Sequence, residues 1–193
     1  AGDNGDNGPA TAAQINLTGY LAISPSGDLY IPDYYNHRIR KIDAAGIITT
    51  VVGNGTDGNT GDGGPATAAT IGSMSAILFD PTGNMYLSDR GNGVIRKVNT
   101  SGIITTIAGI GSVGYGGDGG PATAAKFNID VYCSAMDGIG NLYIADPLNN
   151  RIRKIVYHPE AVNDINTILQ HVSIYPNPAH DEVTVAWEGG IVQ

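Results

Sequence analysis

GDGGPATAA fills residues 61–69 and returns letter for letter at 117–125, with a near copy, GDNGPATAA, at 5–13. A glycine-rich stretch of this kind either cradles a ligand or turns the chain inside a repeated fold. A phosphate loop normally occurs once, between a strand and a helix, with a lysine to meet the charge. This stretch occurs three times and contains no lysine. Its recurrence makes it the punctuation of a repeat.

Gly8, Gly64 and Gly120 open the GPATAA copies at intervals of 56 residues. GDLYIPD (27–33), GNMYLSD (83–89) and GNLYIAD (140–146) keep the same period, as do RIRKI (38–42), VIRKV (94–98) and RIRKI (151–155). GIITTVVG (46–53) recurs as GIITTIAG (102–109). One additional residue, expected near Gly138–Gly140, lengthens the last interval to 57. A period of this length marks a modular array.

Within one unit, YLAIS (20–24), LYIPD (29–33), RIRKID (38–43) and IITTVVG (47–53) read as four short strands joined by turns. Four antiparallel strands cannot bury both faces alone, so units must stack. The expected fold is all-β, built of β-propeller blades of four antiparallel strands. Three repeats occupy about 1–53, 54–109 and 110–156; a linker follows at 157–171, and a β-rich segment at 172–193.

GDGGPATAA, GNLYIAD, NNRIRKI and GIITTIAG strongly resemble the NHL repeat, a β-propeller family, over residues 1–156. The resemblance implies blades around a central axis. It implies function only broadly, because such propellers serve as protein-, ligand- and RNA-binding surfaces and a few relatives are lyases. VSIYPNPAHDEVTV (172–185), with Tyr175, Pro176, Asn177 and Pro178 at its head, resembles the start of the C-terminal sorting domain recognised by the type IX secretion system of Bacteroidota. That resemblance implies export to the outer surface or the medium. The further strands and basic end of such a domain do not follow before Gln193, which reads as a truncated or repurposed signal.

Composition narrows the partners. The 193 residues carry a net charge of −8, with 15% charged residues, which disfavours nucleic acid. No apolar run is long enough to span a bilayer. The lone Cys133 reads as a small buried apolar residue.

Asp33 and Arg40, Asp89 and Arg96, and Asp146 and Arg153 are each seven apart. An acid and a base present in every repeat point to structural ion pairs rather than to catalysis. His37, His158, His171 and His180 share no repeat position and no metal spacing, so no catalytic residue is nominated. Asp6, Asp62 and Asp118 are expected to cap a short helical turn started by Pro9, Pro65 and Pro121, with Ile15, Ile71 and Phe127 plugging the gaps between blades. Calcium is the rival reading, with Asp3, Asp6, Asp57 and Asp62 as oxygen ligands; the third copy lacks most of those side chains, so no cofactor is expected.

Binding is placed on the loops that vary between repeats: Tyr34, Tyr35, Asn36 and His37; Arg90 and Asn92; Leu148, Asn149 and Asn150. The expected function is an exported, non-enzymatic scaffold that binds protein or glycan at or outside the surface of a Bacteroidota-type cell. One alternative is a structural subunit that joins other copies of itself, or further blades, by strand pairing at open edges. The AGDNG start aligns with the end of an outer strand, and no GIITT strand follows Ile155, which leaves two such edges. Another alternative is a metal-dependent propeller lyase or lactonase.

Overall fold

The computed structural model describes residues 4–156 and 172–173. These residues form three antiparallel sheets, the blades of a β-propeller that they do not close. The first blade contains β1 (Gly8–Pro9), β2 (Ala22–Ile23), β3 (Leu29–Asp33), β4 (Arg38–Ile42) and β5 (Ile47–Val52), ordered β1-β5-β4-β3-β2. The second contains β6 (Met74–Phe79), β7 (Met85–Asp89), β8 (Val94–Val98) and β9 (Ile104–Ala108) in sequence order. The third contains β10 (Tyr132–Met136), β11 (Leu142–Asp146), β12 (Arg151–Ile155) and β13 (Val172–Ser173).

Local sequence explains the turns. Gly27, Gly83 and Gly140 take φ values of 90°, 92° and 94° in the tight turn before the second strand of each blade. In that turn Asp80 accepts hydrogen bonds from the backbone N–H groups of Thr82 and Asn84, and Asp137 does the same for Ile139 and Asn141. Burial would raise the Asp80 carboxyl, but the hydrogen bonds from Asn84, Thr82 and Tyr86 outweigh it and hold the group below its usual range. At the far end of β5, Gly53 has φ +87°, and a Cβ there would lie 2.2 Å from the His37 carbonyl oxygen. Only glycine fits.

Two sequence expectations change in the structure. The additional residue of the third repeat is not near Gly138–Gly140: the β10–β11 register shifts between Cys133 and Ala135, which makes Ser134 the bulged residue. The third blade's outer position is also filled. Val172 pairs with Ile155 and Ser173 with Lys154, so the chain returns from a distance to supply the strand that GIITT supplies elsewhere. These two residues therefore complete a blade; the remainder of 172–193, including Tyr175 to Pro178, and the 157–171 linker lie outside the described residues.

The core lies between blades. One cluster joins Ile39 and Val52 of the first blade to Ile71, Met74, Leu87 and Ile104 on the second. The other joins Ile95 and Ala108 of the second to Phe127, Val131, Leu142 and Ile144 on the third. The ATA of each GPATAA forms one 3-10 turn, and Ala66, Ala69, Ala122 and Ala125 press from it into these clusters. Ile71 and Phe127 are fully buried, whereas Ile15 is half-buried. The outer edge of the first blade is covered by β1, where Pro9 offers no N–H to a further strand.

Phe127→Ala should therefore cost about 3–5 kcal/mol through the cavity it leaves, against about 1 kcal/mol or less for Ile15→Ala. Urea unfolding followed by far-UV circular dichroism would measure both; equal losses would contradict the interblade packing described.

Candidate functional site

Strand direction alternates within each blade, so the loops after β3, β7 and β11 open on the same face as the interblade linkers. Each loop is a 3-10 turn: Tyr34–Asn36, Arg90–Asn92 and Pro147–Asn149. His37, Gly93 and Asn150 close these turns in the left-handed backbone region, at φ 49°, 60° and 52°. Glycine and asparagine suit that conformation, so backbone geometry accounts for two of the three residues. His37 Nδ1 lies 3.8 Å from the exposed Asp57 carboxylate.

Beneath the loops lies a buried charge cluster repeated in every blade. Arg40, Arg96 and Arg153 are each 0% exposed. Arg40 Nη1 is 3.4 Å from Asp33 Oδ2, and Arg153 Nη1 is 3.7 Å from Asp146 Oδ2. The pairing is diagonal, because Asp33 stands opposite Arg38 and Arg40 opposite Ile31. Each arginine also holds the aspartate of the glycine-rich stretch: Asp6 at 2.7 Å, Asp62 at 2.7 Å and Asp118 at 2.5 Å. These aspartates do not cap the ATA turns. Pro9, Pro65 and Pro121 occupy the cap positions without side-chain hydrogen bonds.

The same observation bears on calcium. Asp6 and Asp62 neutralise guanidinium groups, and Asp3 lies outside the described residues. Among the described residues, no three His, Cys, Asp or Glu side chains are placed to hold a metal. Nor is any helix among them long and apolar enough to cross a membrane.

Asn36, Asn92 and Asn149 donate at 2.8 Å to the buried carboxylates of Asp33, Asp89 and Asp146. Those carboxylates also accept the backbone N–H groups of Asn16, Gly72 and Asn128, which fixes where the chain enters the inner strand. The second blade differs in one respect. Arg96 Nη1, the counterpart of the atoms that face Asp33 and Asp146, has no hydrogen-bond partner, and Arg96 acts on Asp89 only through its charge. Burial therefore dominates and pushes Asp89 up to about 6, against the hydrogen bonds from Asn92 and Gly72 and the Arg96 charge. Cys133 is likewise buried, and burial pushes its thiol up to about 12.

What remains free at the loop face is a patch drawn from all three blades. Arg90 Nη1 lies 3.4 Å from the Tyr34 hydroxyl, and Arg90 Nε donates to Asp130 at the entry to β10. Burial pulls the Arg90 guanidinium down, but the hydrogen bond and charge of Asp130 outweigh this and hold it above its usual value. Tyr35 packs edge-on against Tyr34 with ring centroids 5.1 Å apart, yet is 59% exposed. Exposed Leu17 and its neighbour Asn16 accept the backbone N–H groups of Tyr34 and Tyr35, and exposed Ile129 precedes Asp130. Leu148 is also exposed, in the third loop. Asp130 carries no repeat signal, and the sequence offers no clue to it.

Comparison with known proteins agrees with this architecture. No protein-family model matches the chain. Chicken teneurin-1 is 35% identical over 104 residues, covering 47% of this chain and 4% of the relative; mouse teneurin-4 is 34% identical with the same coverage. The chain thus spans only a small fraction of the curated relatives it matches. Among solved structures, a protein of unknown function from Bacteroides thetaiotaomicron aligns with TM-score 0.60 and 26% identity, over 73% of this chain and 37% of that one. An auxiliary nutrient binding protein from Bacteroides ovatus aligns at 0.57 and 23%, over 73% and 37%. Virginiamycin B lyase from Staphylococcus aureus aligns at 0.52 and 14%, over 85% and 43%. The last two likenesses concern the fold.

Two outcomes follow from the buried cluster. Arg40→Ala leaves Asp33 uncompensated and should lower stability by about 3–5 kcal/mol, measured by chemical unfolding; a loss below about 1 kcal/mol would contradict the cluster's structural role. The second concerns pH. A folded-state value for Asp89 near 6, above the ordinary 3.8, means that the folded protein holds this proton more tightly. Its contribution is full below 3.8 and is lost as pH rises through about 6. The stability difference between wild type and Asp89→Asn should accordingly fall across that window and stay level above it.

Proposed function

We propose that this chain is part of an exported NHL-type propeller that binds a protein or glycan at the outer cell surface, through the face built by Tyr34, Tyr35, Arg90 and Asp130. The observation that carries the reading is the joining of three blades at positions where the repeats differ. Tyr34, Arg90 and Pro147 occupy one repeat position, and two of them touch across a blade boundary. A rigid scaffold with dissimilar loop residues at one mouth is the usual form of a recognition surface. An exposed tyrosine held by a second ring presents contact area at little cost in side-chain entropy.

Three further points support it. The acid–base pairs are spent in every blade on holding the chain, which favours a non-enzymatic role over a lyase or lactonase. The propeller architecture is shared with Bacteroides nutrient binding proteins. The Tyr175–Pro178 motif fits export by the type IX route, although it lies outside the described residues. A second reading, a structural subunit of an assembly of copies, is favoured by the exposed apolar side chains of Leu21 and Ile23 on the first blade and Ile152 on the third.

The test is a screen of the purified chain on glycan and extracellular-protein arrays, followed by Tyr35→Ala on each ligand found. Binding should weaken about tenfold, equivalent to about 1.4 kcal/mol, with the unfolding midpoint unchanged. Unaltered affinity would reject this face as the binding surface.

A further inference from the structure

The Asn-to-Asp bonds beneath the loop face occur in all three blades, whereas the contacts of Arg90 on that face occur once. Arg90 Nη1 reaches the Tyr34 hydroxyl at 3.4 Å across the junction of the first and second blades, and Arg90 Nε donates to Asp130 Oδ1 across the junction of the second and third. At the positions of Arg90 and Asp130 the first repeat carries Tyr34 and Thr18, so a blade folds without this ion pair. Nor does the pair satisfy itself. Its bonds use Nε, Nη1 and Oδ1, and the Nη2 donors and the second carboxylate oxygen stay open to a ligand, on side chains 36% and 25% exposed. Beside it Tyr35 is 59% exposed and meets Tyr34 at an interplanar angle of 87°, a perpendicular contact that leaves a face of the Tyr35 ring clear.

Given that this is the recognition face, we propose that it takes a neutral sugar ring, its C–H face laid on Tyr35 and two adjacent hydroxyls shared among Arg90, Asp130 and the Tyr34 hydroxyl. An anionic group drawn to Arg90 would meet the Asp130 carboxylate, and a cationic group drawn to Asp130 would meet the Arg90 guanidinium. A hydroxyl both donates and accepts, so adjacent hydroxyls satisfy the open donor and the open acceptor together without adding charge. The negative face of an aromatic ring suits the polarised C–H groups of a pyranose. An apolar protein side chain could cover Tyr35, but it would shut the open donor and acceptor away from water unpaired, which costs more than the contact returns.

The test is titration calorimetry of the full chain with the neutral disaccharides cellobiose, maltose, lactose and mannobiose, and with cellobiouronic acid, the oxidised counterpart of the first. Wild type should bind at least one neutral disaccharide and prefer cellobiose to the uronate. Tyr35→Ala should weaken neutral-sugar binding about tenfold, while Tyr35→Phe, which keeps the ring, should stay within about twofold. Asp130→Asn removes the charge that opposes an anion, so the uronate should gain about tenfold relative to cellobiose. Both sites are partly exposed, and circular dichroism should show each variant folded. No binding of any of these disaccharides, a wild-type preference for the uronate, or Tyr35-dependent capture of proteins alone would overturn the sugar assignment; the last would leave the recognition face standing. Sugar binding indifferent to both Tyr35→Ala and Asp130→Asn would overturn the face as well.

Discussion

Each blade depends on one buried guanidinium. Arg40, Arg96 and Arg153 bring a full positive charge into the interior, where desolvation costs several kcal/mol. The structure answers that cost with carboxylates on two sides, both within 4 Å in the first and third blades and Asp62 alone in the second. One ends the second strand of the blade, and the other belongs to the glycine-rich stretch that wraps the blade from outside. Because the first carboxylate also receives a backbone N–H from the segment entering the inner strand, a single charge fixes three separate passes of the chain. The position of the ATA turn follows from this. The turn in turn sets the alanines and the Ile71 or Phe127 side chain that fill each interblade gap.

That division of labour releases the loop tips. The asparagine in each 3-10 turn serves the buried aspartate, and the left-handed residue serves the backbone. The two positions before them answer to neither demand, and there the three repeats diverge into Tyr34–Tyr35, Arg90–Gly91 and Pro147–Leu148. Variation and exposure coincide because structural duty is concentrated in a few residues next door. The proposed recognition face is what the scaffold leaves unassigned.

Much of this was legible in the sequence, for a physical reason. A stacked array needs the same contacts in each unit, so strand pattern, turn glycines and the seven-residue Asp–Arg spacing recur at a fixed period. Tertiary partners were legible only where the repeat left one choice. Asp6, Asp62 and Asp118 stand beside a helical turn, and local rules assign them to its cap. Their actual partners lie 34 or 35 residues along the chain, where only the shared period could have drawn attention to them. The bulge at Ser134 escaped because an insertion in a pleated strand has no sequence mark, unlike the glycines that marked Gly138–Gly140 as a tolerant turn. Val172–Ser173 shares no letters with GIITT, and Asp130 has no counterpart in the other repeats. Interactions that occur once leave no pattern to read.

The outer strand of the third blade is held on different terms from its counterparts. In the first blade the chain passes from Ile42 to Ile47 in one tight turn, whereas the third must recruit Val172 to Ile155 across a much longer stretch. Closing that longer loop costs about 1 kcal/mol more in chain entropy, and the return is a ladder of two residue pairs. The blade is thus clamped at its inner strands and latched at its rim. Such a rim opens before the rest of the molecule does, so exchange of its backbone amides reports a local opening and not the unfolding of the propeller.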